Sequence, residues 1–167
     1  NIAKGEKAVY GINTGFGPLC TSKISAADTQ TLQENLLKSH AVGLGEPVPI
    51  EISKLMLVLK LQALAQGYSG IRLETLERMI WMLENDVIPV VPIQGSVGAS
   101  GDLAPLSHLF LPLLGLGKVH YKGEIKRTVE VFEKLGMNPL SLGPKEGLAL
   151  INGTQFMAAY GVKIVDR

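Results

Sequence analysis

The first helical pattern of the chain begins at Ser25, where Ser25 and Asp28 have the spacing of a capping box. Apolar positions then recur at helical spacing toward Gly43, at Leu32, Leu36 and Leu37. We therefore predict a helix that starts after Ser25 and carries His40 in its last turn.

Two further segments have the patterns of buried helices. From Ile52 to Ala65 the chain is apolar almost all round, which is typical of a helix buried on several sides. Its main polar interruptions are Lys54, Lys60 and Gln62. The segment is too short and too polar to span a bilayer. After a glycine break, apolar positions that we expect in the core repeat at spacings of three and four until Pro89, at Leu73, Leu76, Ile80, Leu83 and Val87.

The stretch from Val87 to Gly117 is unusual because Asp102 is its only charged residue. Its four prolines and five glycines rule out a regular membrane-spanning helix. The pattern predicts a buried loop that leads into a short apolar helix. Because a buried loop takes backbone polar groups away from water, such a loop is usually kept for a function.

The remaining third of the chain has shorter patterns. Residues Lys118 to Tyr121 and Glu124 to Lys126 are expected to pair as a small hairpin. A helix is predicted from about Thr128 to Gly136, and a last helical region starts at Pro144. We expect this last region to be interrupted near residues 152 to 154.

Together these elements predict a mainly α-helical domain with long buried loops and one small β-hairpin. The chain starts on a turn-rich segment and stops directly after an apolar helical run, with no capping signal at either point. We therefore expect residues 1–167 to be part of a single larger domain, truncated at both ends.

Composition narrows the classes of function. Sixteen basic and fifteen acidic residues give a formal net charge of +1, and no basic block marks a nucleic-acid partner. Cys20 is the only cysteine, which excludes a disulfide or a cysteine-based zinc site within one chain. Three scattered histidines do not predict a metal site. Without the apolar core of a signal peptide near the start, we expect a cytoplasmic location and no membrane partner.

The glycine-rich segment from Gly95 to Asp102 is the first candidate for chemistry. It lacks the lysine of a phosphate-binding P-loop. It also misses the nucleophile elbow of serine hydrolases, because glycine follows Ser100 directly. Two other glycine pairs, at 15 and 17 and at 43 and 45, lack the third glycine of a dinucleotide site and are interpreted as turns.

A different chemistry depends on the small size of Ala99, Ser100 and Gly101. In a strained loop the Gly101 nitrogen can approach the Ala99 carbonyl carbon, since neither residue adds bulk. Cyclisation with loss of two waters removes the Ser100 hydroxyl and leaves an electrophilic methylidene group. Asp102 is placed to move protons during this chemistry and also to cap the following helix. That helix directs its positive end toward the ring.

Three ordered motifs resemble the aromatic amino acid ammonia-lyases and aminomutases, which carry a methylidene-imidazolone group. The segment from Gly95 to His108, GSVGASGDLAPLSH, resembles the family's cofactor signature. The segment from Tyr10 to Gly17, YGINTGFG, resembles its tyrosine loop, and GLALINGT, from Gly147 to Thr154, resembles its asparagine segment. The resemblance implies that residues 1–167 are part of one lyase domain, and that the cofactor forms from residues 99 to 101.

The resemblance also assigns roles to single residues. Tyr10 matches the candidate base that removes the β-proton of the substrate, and Asn152 matches the asparagine that holds the substrate carboxylate and the ring. Asn13 and Thr14 are expected to fix the backbone around Tyr10 through side-chain hydrogen bonds. Family members are homotetramers whose sites draw residues from several subunits, so we expect the isolated chain to be inactive.

The substrate expectation depends on the pair Ser39 and His40, which resembles the histidine branch of the family. His40 can hydrogen-bond the imidazole of a substrate. The implied reaction is the elimination of ammonia from histidine to give urocanate. Two alternatives stay open: a tyrosine or phenylalanine lyase or aminomutase, and a non-catalytic folding or oligomerisation unit in which no cyclisation occurs.

Each candidate residue also has a structural interpretation. Tyr10 taken alone is typical of a half-buried packing residue, and His40 can act as a helix C-terminal cap. Asn152 can satisfy backbone groups at the helix interruption. His108 is expected to be a hydrogen-bonded structural residue on its apolar helix, and His120 to lie on an exposed hairpin.

Overall fold

The computed structural model describes residues 8–15 and 24–166, and these form helices with short strands between them. The helices are Ala26–His40 (α1), Ile50–Ala65 (α2), Leu73–Glu84 (α3), Leu103–Phe110 (α4), Thr128–Leu135 (α5), Glu146–Ile151 (α6) and Gln155–Val165 (α7). The strands are Leu44–Pro47 (β1), Ile88–Pro89 (β2), Pro92–Gln94 (β3), Lys118–Tyr121 (β4) and Glu124–Arg127 (β5). A 3₁₀ turn at Leu111–Leu114 extends α4. The prediction of a mainly helical fold is confirmed.

The core lies between the helices. Helix α2 packs against α7 and α3, while α1 packs against α6 and α4. Burial of apolar side chains from these faces supplies the main driving force for folding. Among the largest fully buried side chains are Phe110, Phe132, Leu37, Ile52, Met56 and Leu57. None of the described helices is long and apolar enough to cross a bilayer.

Helix α1 begins as the sequence predicts. The Ser25 hydroxyl oxygen accepts a hydrogen bond from the Asp28 backbone N–H at 3.2 Å, and the Ser25 hydroxyl donates to the Asp28 carboxylate at 2.6 Å. The first bond satisfies one backbone donor that the first turn leaves free, and the second joins the two side chains. The helix ends at His40, which therefore occupies the predicted last turn.

Helix α3 differs from its prediction in both length and orientation. It ends at Glu84, because Asp86 adopts a left-handed conformation and Val87 N–H donates back to the Met82 carbonyl at 2.9 Å. Its buried residues are Thr75, Met79 and Met82. The predicted core residues Leu73 and Ile80 are instead 69% and 40% exposed, since the buried face is rotated by about one residue.

The strands form two small antiparallel sheets. The predicted hairpin of β4 and β5 is confirmed, and its turn uses positive φ angles at Lys122 and Gly123, as a type I′ turn requires. Strand β4 also pairs with β2, so His120 on this central strand is half-buried rather than exposed. Strands β1 and β3 pair with each other and were not predicted, because they are very short and contain proline.

A buried carboxylate connects helix α6 to the start of α3. Glu146 is fully buried, and its carboxylate accepts four hydrogen bonds. The donors are Arg72 N–H at 2.9 Å, Arg72 Nε at 2.8 Å, the Thr75 hydroxyl at 2.7 Å and Gly143 N–H at 2.6 Å. Four donors compensate for the removal of the charge from water. Glu146 therefore fixes the position from which α6 runs toward Asn152.

Replacing Glu146 with alanine should lower the free energy of unfolding by about 3 kcal/mol, because it leaves the buried Thr75 hydroxyl and three partly buried donors without their acceptor. Urea denaturation of the chain followed by circular dichroism measures this loss. The matched control is Glu130→Ala, since the carboxylate of Glu130 is exposed and forms a long ion pair with Arg127 at 3.9 Å. We expect that control to cost less than about 0.5 kcal/mol. Equal losses in both variants would contradict the role given to Glu146.

Candidate functional site

The glycine-rich loop between β3 and α4 is exposed over most of its length. Ala99 and Ser100 lie at the surface, and Val97 is 88% exposed, whereas Gly101 and Asp102 are buried. The prediction of a buried loop is therefore wrong for this part of the stretch. The loop follows β3 of the two-stranded sheet. Its lack of charge consequently marks an exposed surface of small and apolar residues.

Asp102 anchors the end of this loop through both its backbone and its side chain. The carboxylate accepts hydrogen bonds from the Ser96 hydroxyl at 2.6 Å and from Met157 N–H at 3.0 Å. The Asp102 N–H donates to the Gly153 carbonyl at 2.7 Å. Met157 is the third residue of α7, so the carboxylate caps α7. The expectation that the side chain caps its own helix is wrong, although the Asp102 carbonyl does accept the first α4 bond, from Leu106.

Gly101 lies against the backbone of Gly153. A Cβ atom at Gly101 would lie 2.5 Å from the Gly153 carbonyl oxygen, which is closer than non-bonded atoms approach. Gly101 also has a φ of 129°, a conformation that side chains with a Cβ rarely adopt. Both constraints require glycine at this position. The close contact also places the loop against the segment that follows Asn152.

The imidazole of His40 has a defined proton arrangement. Its Nδ1 lies 2.9 Å from the Leu36 carbonyl oxygen and 3.1 Å from the Ser39 hydroxyl. A carbonyl oxygen only accepts hydrogen bonds, so in the neutral ring Nδ1 carries the proton and Nε2 keeps a free lone pair. The bond to Leu36 is also the helix-terminal contact that the structural interpretation predicted. Both interpretations of His40 are compatible, because they use different ring nitrogens.

A cavity of about 220 Å³ brings His40 and the glycine-rich loop together. Its lining residues are Ser39, His40, Val42, Gly95, Val97, Ala99, Ser100, Gly101, Leu103 and Ala104. His40 and Ala99 are far apart in sequence, and the contact between α1 and α4 makes them neighbours. The pair that resembles the histidine branch thus faces the three residues that resemble the cofactor precursor.

Asn152 lies at the end of α6, beside the loop. Its carbonyl oxygen accepts a hydrogen bond from Lys60 Nζ at 2.7 Å. The residue as a whole is exposed. The predicted interruption of the last helical region is confirmed here, since α6 ends at Ile151 and α7 begins at Gln155. Gly153 then makes the contacts to Gly101 and Asp102. Asn152 is therefore adjacent to the loop through its neighbour in sequence.

Tyr10 lies in a tight turn and is 50% exposed. The Asn13 side-chain oxygen accepts from Val9 N–H at 2.7 Å, and the Thr14 hydroxyl accepts from Gly11 N–H at 3.3 Å. The prediction that Asn13 and Thr14 fix this backbone is confirmed. Tyr10 is not among the residues that line the cavity. The rest of its motif, Phe16 and Gly17, lies outside the described residues.

Gln33 is a buried polar residue beside the candidate site that the sequence pattern did not predict. It is fully buried, and its Nε2 donates to the Gly11 carbonyl at 3.4 Å. Its Oε1 accepts from Leu148 N–H at 3.3 Å. Gln33 therefore connects the Tyr10 turn to helix α6, which leads to Asn152. The available signal was a polar side chain one turn before the core residue Leu37, on the buried face of α1.

His108 has a structural role. His108 Nε2 accepts a hydrogen bond from Gly43 N–H at 2.9 Å, and burial lowers the pKa of its imidazole below the usual value. The prediction of a hydrogen-bonded structural histidine is confirmed. Among the described residues no group of three or more histidine, cysteine, aspartate or glutamate side chains could hold a metal ion.

Comparisons with known proteins identify the family of the chain. The family model described as aromatic amino acid lyase matches residues 1–167, and the chain belongs to this family. A curated histidine ammonia-lyase from Shouchella clausii is 55% identical over 161 residues, which are 96% of this chain and 32% of that protein. The chain therefore spans about a third of the length of the curated relatives it matches.

Solved structures of the family have the same fold over this region. Histidine ammonia-lyase from Trypanosoma cruzi superposes with a TM-score of 0.88 at 42% identity, covering 96% of this chain and 31% of that chain. Tyrosine aminomutase from Streptomyces globisporus superposes with a TM-score of 0.89 at 36% identity, covering 99% and 31%. The fold is thus shared by relatives named for different substrates, so the fold alone does not select the substrate.

Replacing Gly101 with alanine should lower the free energy of unfolding by about 2 kcal/mol, because the new Cβ meets the Gly153 carbonyl and the backbone conformation is strained. Thermal denaturation of the chain measures this loss. Gly161→Ala is the matched control, since nothing lies within 4 Å of a Cβ on that helical glycine. We expect the control to raise stability by about 0.5 to 1 kcal/mol. A neutral Gly101→Ala variant would be inconsistent with the close contact.

Proposed function

We propose that the full-length enzyme containing this chain is a histidine ammonia-lyase, which eliminates ammonia from histidine to give urocanate. The observation that carries this proposal is the shared cavity of His40 and the loop residues 99 to 101. The relative from Shouchella clausii, named histidine ammonia-lyase, supports it at 55% identity. Because the chain covers only about a third of that protein, we expect the isolated chain to have no turnover.

We further propose that Ala99, Ser100 and Gly101 form a methylidene-imidazolone. The residues fit such a group: Ala99 and Ser100 lie at the cavity, and the tight contact with Gly153 excludes a side chain at position 101. Cyclisation joins the Gly101 nitrogen to the Ala99 carbonyl carbon and releases one water, and loss of the Ser100 hydroxyl releases the second. The finished group supplies an electrophilic carbon for the amine of the substrate.

The residues of this chain have separate tasks in the proposed reaction. His40 accepts a hydrogen bond from an imidazole N–H of the substrate at its free Nε2, while the Leu36 carbonyl holds the proton on Nδ1. Asn152 holds the substrate carboxylate and Tyr10 takes the β-proton, as their motifs imply. Asp102 fixes the loop and moves protons during cyclisation. Gln33 holds the turn of Tyr10 against α6, the helix that leads to Asn152.

Assembly and location belong to the same proposal. We infer that the full-length enzyme is a cytoplasmic homotetramer in which other subunits and later segments complete the site. The single cysteine is consistent with a reducing compartment. The exposure of Ala99 and Ser100 in this chain supports a site that further protein covers, because catalysis of this kind benefits from exclusion of water.

A second candidate is a tyrosine or phenylalanine lyase or aminomutase. It is favoured by the superposition with tyrosine aminomutase from Streptomyces globisporus at a TM-score of 0.89. The lower identity, 36%, and the imidazole of His40 at the cavity favour histidine instead. The choice between the two candidates therefore depends on His40 and on the degree of sequence identity.

Exchange of His40 for leucine in the full-length enzyme should reduce kcat/KM for histidine about 10- to 100-fold, because a buried imidazole N–H of the substrate would lose its acceptor. Urocanate formation followed by ultraviolet absorption measures this change. His120→Leu is the matched control, since His120 lies on strand β4 and does not line the cavity. Undiminished histidine turnover in His40→Leu, or preferred turnover of tyrosine by the unmodified enzyme, would reject histidine as the substrate.

A further inference from the structure

Lys60 is a buried lysine in the middle of helix α2. The residue is 2% exposed, and its Nζ donates to the Asn152 carbonyl at 2.7 Å. The neighbouring buried residues on this helix are mainly apolar, and include Met56, Leu57 and Leu64. A long apolar side chain here would fill the same space without removing a charge from water. Packing alone therefore does not explain why a lysine occupies this buried position.

The charge of Lys60 is not balanced by a carboxylate within the described residues. Two other lysines near α2 form ion pairs, Lys54 with Asp86 at 2.6 Å and Lys163 with Glu51 at 3.9 Å. Lys60 has a backbone carbonyl as its hydrogen-bond partner instead. Burial lowers the pKa of its ammonium group to about 8, so most molecules keep the charge at neutral pH. A charged donor makes a stronger hydrogen bond to a carbonyl than a neutral one.

The partner of Lys60 belongs to the segment that contacts the glycine-rich loop. The carbonyl of Asn152 accepts from Lys60, and the next carbonyl, that of Gly153, accepts from Asp102 N–H at 2.7 Å. Gly101 packs directly on the same Gly153 carbonyl. Two successive peptide groups are thus held from opposite elements, one by helix α2 and one by the loop. A shift of the Asn152 peptide would move the Asn152 side chain. It would also move the Gly153 carbonyl, which the glycine-rich loop contacts.

We propose that Lys60 is a positioning residue for the reaction, which sets the Asn152 side chain relative to residues 99 to 101 by holding the Asn152 carbonyl. This inference rests on the proposed role of Asn152 in the reaction. It assigns no contact between Lys60 and the substrate. Its effect on turnover is transmitted through Asn152, and removal of the Asn152 side chain should therefore abolish that effect.

A double-mutant cycle in the full-length enzyme tests this transmission. Lys60→Met should lower kcat/KM about 10-fold in the otherwise unmodified enzyme, and less than about 2-fold in the Asn152→Ala background. The matched control is Lys54→Met on the same helix, because Lys54 pairs with Asp86 and not with the Asn152 carbonyl, and it should leave kcat/KM unchanged. The same loss from Lys60→Met in both backgrounds, or no loss in either, overturns the proposal.

Lys60→Arg keeps the test decisive if Lys60→Met does not fold. The guanidinium keeps the charge but is larger and planar, so we expect it to hold the Asn152 carbonyl in a shifted position. We expect a smaller loss of kcat/KM that again disappears with Asn152→Ala. Equal activity of the arginine and lysine enzymes in both backgrounds overturns the positioning role.

Failure of the proposed function is distinguishable from failure of this inference. Turnover of histidine, tyrosine and phenylalanine by the unmodified enzyme is measured first, and the cycle then uses the substrate that the enzyme converts. A preference for tyrosine rejects the proposed substrate and leaves the cycle interpretable. Additive effects of Lys60 and Asn152 on histidine turnover reject the positioning role and leave the substrate unchanged.

Discussion

The buried carboxylate of Asp102 is the constraint on which the rest of the site depends. Burial of a carboxylate away from water is costly unless hydrogen-bond donors replace the water. The Ser96 hydroxyl and Met157 N–H donate to Asp102. These two bonds tie the start of the glycine-rich loop to the first turn of α7. The Asp102 N–H adds a third tie, to Gly153. The loop is thus held at its end while Ala99 and Ser100 stay exposed, which suits residues that must react.

Around this anchor, buried polar side chains connect segments that are distant in sequence. Gln33 joins the Tyr10 turn to α6, and Glu146 fixes the start of α6 against α3. Lys60 holds the Asn152 carbonyl from the other side. Each of these polar side chains is buried and hydrogen-bonded, and each acts on the backbone. The scaffold therefore positions the candidate reactive residues through a small set of buried polar contacts between helices.

Helical periodicity predicted where the helices lie, because their apolar faces are long enough to give a clear signal. It did not predict which face of α3 is buried: Leu73 and Ile80 have the right spacing, yet the core takes Thr75 and Met79. Neighbouring helices decide such a rotation, and one sequence does not contain their positions. The partners of Asp102 were missed for the same reason, since its side chain caps a helix that begins about fifty residues later. The motif residues themselves were predicted by resemblance, while their supports, such as Lys60, follow only from tertiary contacts.

We expect Ala99, Ser100 and Gly101 to become an electrophilic ring in the full-length enzyme. Mass spectrometry of the proteolytic peptide that contains residues 95 to 102 measures this change, with the Ser100→Ala variant as the reference. The peptide of the unmodified enzyme should lack the mass of two waters, and the variant peptide should keep its full mass. An unmodified mass in the full-length enzyme would show that no ring forms and would favour a non-catalytic folding or oligomerisation unit.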